Sequence, residues 1–86
     1  MTRRTDEQFL KINDRWALAY DPLQWILQRR AGTEWRSISF IATKKRILLS
    51  VLDEKRIVPT HEASRVLRYL AGSFVEWRDE LQHLEA

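Results

Sequence analysis

Few residues in this sequence are equipped for chemistry, and the most conspicuous are cations. Lys44, Lys45 and Arg46 stand consecutively, with Arg29, Arg30 and Arg36 shortly upstream. The triplet falls where the hydrophobic spacing begins to read as a helix. It therefore adds positive charge to an end where the helix macrodipole is already positive and acidic side chains are preferred. Local rules are broken most often at functional sites, and a helix N-terminus carrying cations attracts phosphate or clustered carboxylates. Trp35 lies beside Arg36, and Trp25 shares a segment with Arg29 and Arg30. Tryptophan among cations is the combination that stacks on bases and anchors protein interfaces. These eight residues (Trp25, Arg29, Arg30, Trp35, Arg36, Lys44, Lys45 and Arg46) form the candidate partner-binding set. The cations read equally well as a solubilising surface and the tryptophans as core, because strand register decides which face each occupies. Trp16 and Trp77 read as core.

Catalytic groups are harder to find. The bases near neutral pH are His61 and His83; the first falls at a helix start and the second near a helix end, where exposed side chains interacting with the helix ends are expected. Asp6-Glu7, Asp53-Glu54 and Asp79-Glu80 are adjacent pairs, and neighbours on a helix diverge by ~100°, too far for a two-carboxylate site or a metal cage. Gly32 and Gly72 are the only glycines, which excludes a glycine-rich phosphate loop. The expectation is a protein that binds rather than catalyses, with no cofactor and no metal. No zinc finger, basic zipper or convincing helix-turn-helix is present.

The elements that must position these residues come from one small chain. Its 86 residues support one domain over 1–86, and 44% hydrophobic residues with four Trp mark a chain that folds. Absence of cysteine removes disulfides and thiolate sites and fits a reducing cytoplasm. The start has no apolar signal region and no run approaches the ~20 residues of a membrane span, so a soluble cytoplasmic protein with no membrane partner is expected. The net charge of +3 is unevenly spread: ten basic and four acidic residues in 22–68, against one and four in 69–86.

Residues 1–12 read as flexible or as a short helix, with Thr5 and Gln8 spaced as a capping box ahead of Phe9, Leu10 and Ile12. Alternation then predicts strands at Arg15–Tyr20, Leu23–Arg30 and Trp35–Thr43. They are separated by the Asp21-Pro22 turn and by Ala31-Gly32-Thr33, where Gly32 supplies a positive φ. Helical spacing follows in Ile47, Leu48, Val51 and Leu52 up to Lys55-Arg56. A second helix is capped by Thr60, with Ala63, Val66, Leu67 and Leu70 as its buried stripe. A third carries a Ser73/Glu76 capping box and the stripe Phe74, Trp77, Leu81 and Leu84; the last two helices could form one bent rod. The fold class is α+β, a three-stranded antiparallel meander followed by two or three helices packed on one face, leaving the other face open for a partner.

The stretch Trp16-Ala-Leu-Ala-Tyr-Asp-Pro-Leu-Gln-Trp-Ile-Leu-Gln-Arg-Arg, then Trp35-Arg-Ser-Ile-Ser-Phe-Ile and Leu48-Leu49, resembles short uncharacterised proteins of proteobacterial prophages and mobile elements, over about half of the chain. In size, lack of cysteine and lack of a catalytic motif the chain is similar in class to anti-CRISPR inhibitors. The resemblance implies an anti-defence inhibitor that engages a host protein or nucleoprotein complex. A basic middle implies contact with an acidic protein patch or with the nucleic acid, not mimicry of DNA. Two other readings stay open: a stand-alone DNA- or RNA-binding accessory protein, and a small structural homodimer paired through its C-terminal helix.

Overall fold

The computed structural model describes residues 7–85. An antiparallel sheet of four strands in the order β1-β2-β3-β4 precedes three helices. The strands are β1 (Glu7–Lys11), β2 (Trp16–Asp21), β3 (Gln24–Ala31) and β4 (Glu34–Ile41), followed by α1 (Lys45–Glu54), α2 (His61–Tyr69) and α3 (Phe74–Glu85). The expected three-stranded meander is present as β2, β3 and β4, and β1 is an addition to it. A strand, not a short helix, occupies Glu7–Lys11, because Leu10 finds a partner in Leu18 and Glu7 one in Tyr20. Pairing on an existing strand outweighs the weak helical pattern of so short a segment. Thr5 lies outside the described residues.

Local chemistry sets each turn. Asp21 Oδ1 accepts from the Leu23 amide at 2.8 Å and closes the β2–β3 turn, which fixes a register that pairs Tyr20 with Trp25 and Trp16 with Arg29. Gly32 at φ +66 occupies the first central position of the two-residue β3–β4 turn, a place where a left-handed residue matches the strand twist. Between β1 and β2, Asn13 Oδ1 accepts from the amides of Arg15 and Trp16 at 2.8 and 3.0 Å. The Asn13 side chain also donates to the Val58 carbonyl at 3.0 Å, tying this loop to the segment after α1.

The main core cluster lies on one face of the sheet; the other face, expected to be open, is closed along its centre, where Ala17, Ala19 and Ile26 are buried as well. Leu18, Trp25, Leu27 and Ile41 meet Leu48 and Leu52 of α1, Leu67 of α2 and Phe74 of α3. Trp25 sits edge-on to Phe74 with ring centroids 5.6 Å apart, and Trp77 lies 4.7 Å from Phe9 and 5.0 Å from Tyr20. The apolar stripe of α3 is thus spent on its own sheet; the side chain of Leu84 lies outside the described residues. Two other stripe assignments differ from expectation. Ile47 and Val66 are exposed, because α1 and α2 bury Leu48 and Leu52, and Ala63 and Leu67.

The last two helices are separate. Leu70 leaves the helical region at ψ 143, and Thr43 and Gly72 carbonyls accept from the Phe74 and Lys45 amides at 2.8 Å, a backbone clasp that holds the starts of α1 and α3 together. Thr60 caps α2 through the Ala63 amide at 3.1 Å, and Ser73 caps α3 through the Glu76 amide at 3.2 Å. Among the described residues no helix is long and apolar enough to cross a membrane.

Candidate functional site

The sheet divides the expected cation set in two. Arg29, Arg30 and Arg36 flank the β3–β4 turn, whereas Lys44, Lys45 and Arg46 follow the opposite end of β4. The strand from Arg36 to Ile41 alone separates them by roughly 16 Å at ~3.3 Å per residue.

At the Lys44 end the anomaly has a structural cause. Lys45 is half-buried, and its Nζ donates to the carbonyls of Leu67, Arg68 and Leu70 at 3.3, 3.0 and 2.8 Å. It supplies a donor to the Arg68 and Leu70 carbonyls where α2 ends and a second one to the Leu67 carbonyl, which also accepts from the Leu70 amide, and its charge complements the negative end of that helix. Lys45 is occupied within the fold and is not free for a partner. Lys44 and Arg46 remain exposed. Trp25 has no exposed surface, so it drops out of the partner-binding set. Its indole N–H is also without a hydrogen-bond acceptor. Trp35 is half-buried and pairs with Arg30 across β3–β4.

The turn end of the sheet gathers more arginine than the expected set contained. The Arg30 amide donates to the Arg15 carbonyl at 2.8 Å, which sets Arg15 beside Arg30. A shallow cleft is lined by Asp14, Arg15, Arg29, Arg30 and Gly32. A second, on the other side of Arg15, is lined by Asn13, Asp14, Trp16 and Arg56 among others. Arg15, Arg29, Arg30, Arg36 and Arg56 are all exposed, and among the described residues none of the five pairs with a carboxylate. Arg30 Nε donates to the Gly32 carbonyl at 3.1 Å, a bond that leaves the other guanidinium nitrogens free.

Three local preferences are broken at this one end. Arg29 stands directly opposite Arg36 in the β3–β4 ladder, where like charges are destabilising. Arg15 and Arg30 are held side by side by backbone. Arg56 adopts φ +58, a left-handed conformation that costs an L-residue ~1–2 kcal/mol. It does so as the closing residue of α1. Its amide bonds to the Asp53 carbonyl and that of Ile57 to Leu52, at 3.0 and 2.9 Å, the double bond pattern in which glycine is the usual occupant.

Arg15 was legible in principle: the Asp21-Pro22 turn that pairs Tyr20 with Trp25 also brings Arg15 to Arg30. Arg56 was not, since nothing in the linear order relates the end of α1 to the β1–β2 loop. His61 and His83 are exposed, and among the described residues no group of three or more His, Cys, Asp or Glu could hold a metal ion. No family model matches the chain, and it matches neither a curated protein nor a solved structure.

Proposed function

We propose that the protein is a binding protein of the phage anti-defence type. In this reading its arginine-rich sheet end engages a polyanionic surface of a host nucleoprotein complex. One observation carries it: Arg15, Arg29, Arg30, Arg36 and Arg56 converge at one end without a carboxylate partner among the described residues, in an arrangement that breaks local preferences three times. Four guanidinium forks in two adjoining clefts, those of Arg15, Arg29, Arg30 and Arg56, suit bidentate contact with phosphate or clustered carboxylates. The clefts are shallow and open, which suits an extended surface better than a small molecule. The anti-defence assignment itself is supported by the resemblance of the Trp16–Arg30 and Trp35–Ile41 segments to prophage proteins.

The test is a pull-down of the tagged protein from bacterial lysate, with and without nuclease, alongside an Arg15→Ala/Arg29→Ala/Arg30→Ala variant. A defined complex that survives nuclease and is lost in the variant supports the reading. A complex retained equally by the variant refutes the arginine-rich end as the contact. The same arginines would also serve direct binding of DNA or RNA. In that case all partners disappear with nuclease, and affinity for purified nucleic acid falls steeply with salt.

A further inference from the structure

The two edges of the sheet are treated differently. β1 is bordered by α2: the Thr60 amide donates to the Ile12 carbonyl at 2.9 Å, and a groove lined by Phe9, Leu10, Ala63 and Val66 runs between strand and helix. β4 is the outer strand on the other side, and from Glu34 to Phe40 every residue is exposed or half-exposed, with Ile41 the single buried one. Ile38 and Phe40 are 40% and 55% exposed. Ser37–Ile41 carries neither charge nor proline, two of the means by which open edges are blunted, although the irregularity opposite Leu27/Gln28 is a third. The outward N–H and C=O groups of such a strand are a template best complemented by another strand.

We infer that β4 pairs antiparallel with β4 of a second copy of this chain, extending the sheet across a two-fold axis. The complementary charges at the two ends of β4 favour this occupant. Glu34 opens β4 and Lys44 stands just beyond its end; both are exposed, and among the described residues neither has an ion-pair partner. Antiparallel self-pairing carries the Glu34 end of each strand towards the Lys44 end of the other, so opposite charges approach at both ends. Side-chain direction agrees. Trp35 pairs with Arg30 and Phe40 with Ile26, and the irregularity at Leu27/Gln28 adds one residue to β4 between them. That extra residue puts Trp35 and Phe40 on the same face, where cross-strand aromatic pairing between copies is geometrically open.

The pairing has a consequence for the basic surface. Within one copy Lys44 and Arg46 lie at the far end of β4 from Arg29 and Arg36. In the pair, the second copy's Lys44 and Arg46 come alongside the first copy's arginine end, one strand spacing of ~4.8 Å removed at the strand itself, a like-charge approach that opposes the Glu34–Lys44 attraction and keeps the association weak. The inference stands without the function proposed above, because it rests on the edge, not on the ligand.

A single strand pair buries less than the ~1,200 Å² of stable interfaces, so weak association is expected. Sedimentation velocity of the full chain from roughly 5 to 500 μM covers the range in which such contacts form. A reversible monomer–dimer equilibrium is expected, weakened at least tenfold by Phe40→Lys. Glu34→Lys and Lys44→Glu should each weaken it several-fold, and the double swap should restore it. A strict monomer throughout, or a dimer indifferent to Phe40→Lys and to the swaps, overturns the inference. Disulfide trapping gives a second test should Phe40→Lys fail to fold, because the chain has no cysteine of its own. Ser39→Cys, at the two-fold axis of the register that brings Glu34 to Lys44, should cross-link between copies under mild oxidation, whereas Ser50→Cys on α1 should not; equal cross-linking at Ser50 refutes the pairing.

Discussion

Replacing Arg56 by glycine should make the protein more stable and a poorer binder. Arg56 sits at φ +58 where α1 closes, a conformation that costs an L-residue ~1–2 kcal/mol and costs glycine nothing sterically. Glycine also adds conformational freedom to the unfolded chain, offsetting ~0.5–1 kcal/mol. The net expectation for Arg56→Gly is a gain of about 0.5–1 kcal/mol. The helix-closing bonds from Arg56 and Ile57 to Asp53 and Leu52 are made by backbone, so they survive the change. For a domain of this size 1 kcal/mol moves Tm by roughly 4–8 °C, so a rise of about 2–8 °C is expected in a thermal melt, with a matching shift in urea midpoint. Binding should move the other way. If Arg56 meets a phosphate, its loss lowers the slope of log K against log salt by ~0.7–0.9. Arg56→Lys is the control: it keeps both the backbone cost and the charge and should track the parent in each assay. A fall in stability for Arg56→Gly would refute the strain argument, and unchanged affinity and salt slope would remove Arg56 from the binding surface.

The remaining predictions concern stability and are read from urea denaturation. Lys45→Met keeps the stem but strands the carbonyls of Arg68 and Leu70, that of Leu67 keeping the Leu70 amide; at a half-exposed site this should cost about 1–2 kcal/mol, whereas Lys44→Ala should stay within ~0.5 kcal/mol. Equal effects at the two positions would contradict the assignment of Lys45 to the end of α2. Trp25→Phe removes an indole N–H that has no acceptor along with part of a packed ring. Relief of ~1–3 kcal/mol opposes a packing loss of similar size, so the variant should lie within about 1 kcal/mol of the parent, while Phe74→Ala should cost about 3–5 kcal/mol. Gly32→Ala meets no atom within 4 Å but keeps φ +66, so backbone strain alone should cost about 1 kcal/mol.

Much of the fold is visible along the chain because its devices are local. Asp21-Pro22 and Gly32 place the turns that define β2, β3 and β4, Thr60 caps α2 after the Val58-Pro59 break, and Ser73 caps α3 as its spacing with Glu76 predicts. β1 was missed because its five residues have no strong period of their own and become a strand only by pairing with β2. The candidate surface was half legible. Arg29, Arg30 and Arg36 are brought together by a short hairpin. Lys44 to Arg46 looked continuous with them in the linear order but fall at the other end of an extended strand. Trp25 could not be assigned to a face until the register was fixed, and it proved to be fully buried against Phe74 and Trp77. Lys45 broke a helix rule for a reason that lies 22 to 25 residues away, at the end of α2. Sequence spacing carries no signal of that kind.

The central claim is that the arginine-rich end of the sheet is the contact surface for a polyanion. Its most direct test is fluorescence anisotropy of a labelled oligonucleotide and of a labelled polyglutamate chain across a salt series. The parent is compared with Arg15→Ala/Arg29→Ala/Arg30→Ala, with both folds checked by thermal melting. The account predicts that the triple variant loses more than tenfold in affinity for at least one probe, with a salt slope shallower by ~2 if the probe is the nucleic acid. A folded variant that binds both probes as the parent does would contradict it, as would a parent that binds neither probe at low salt.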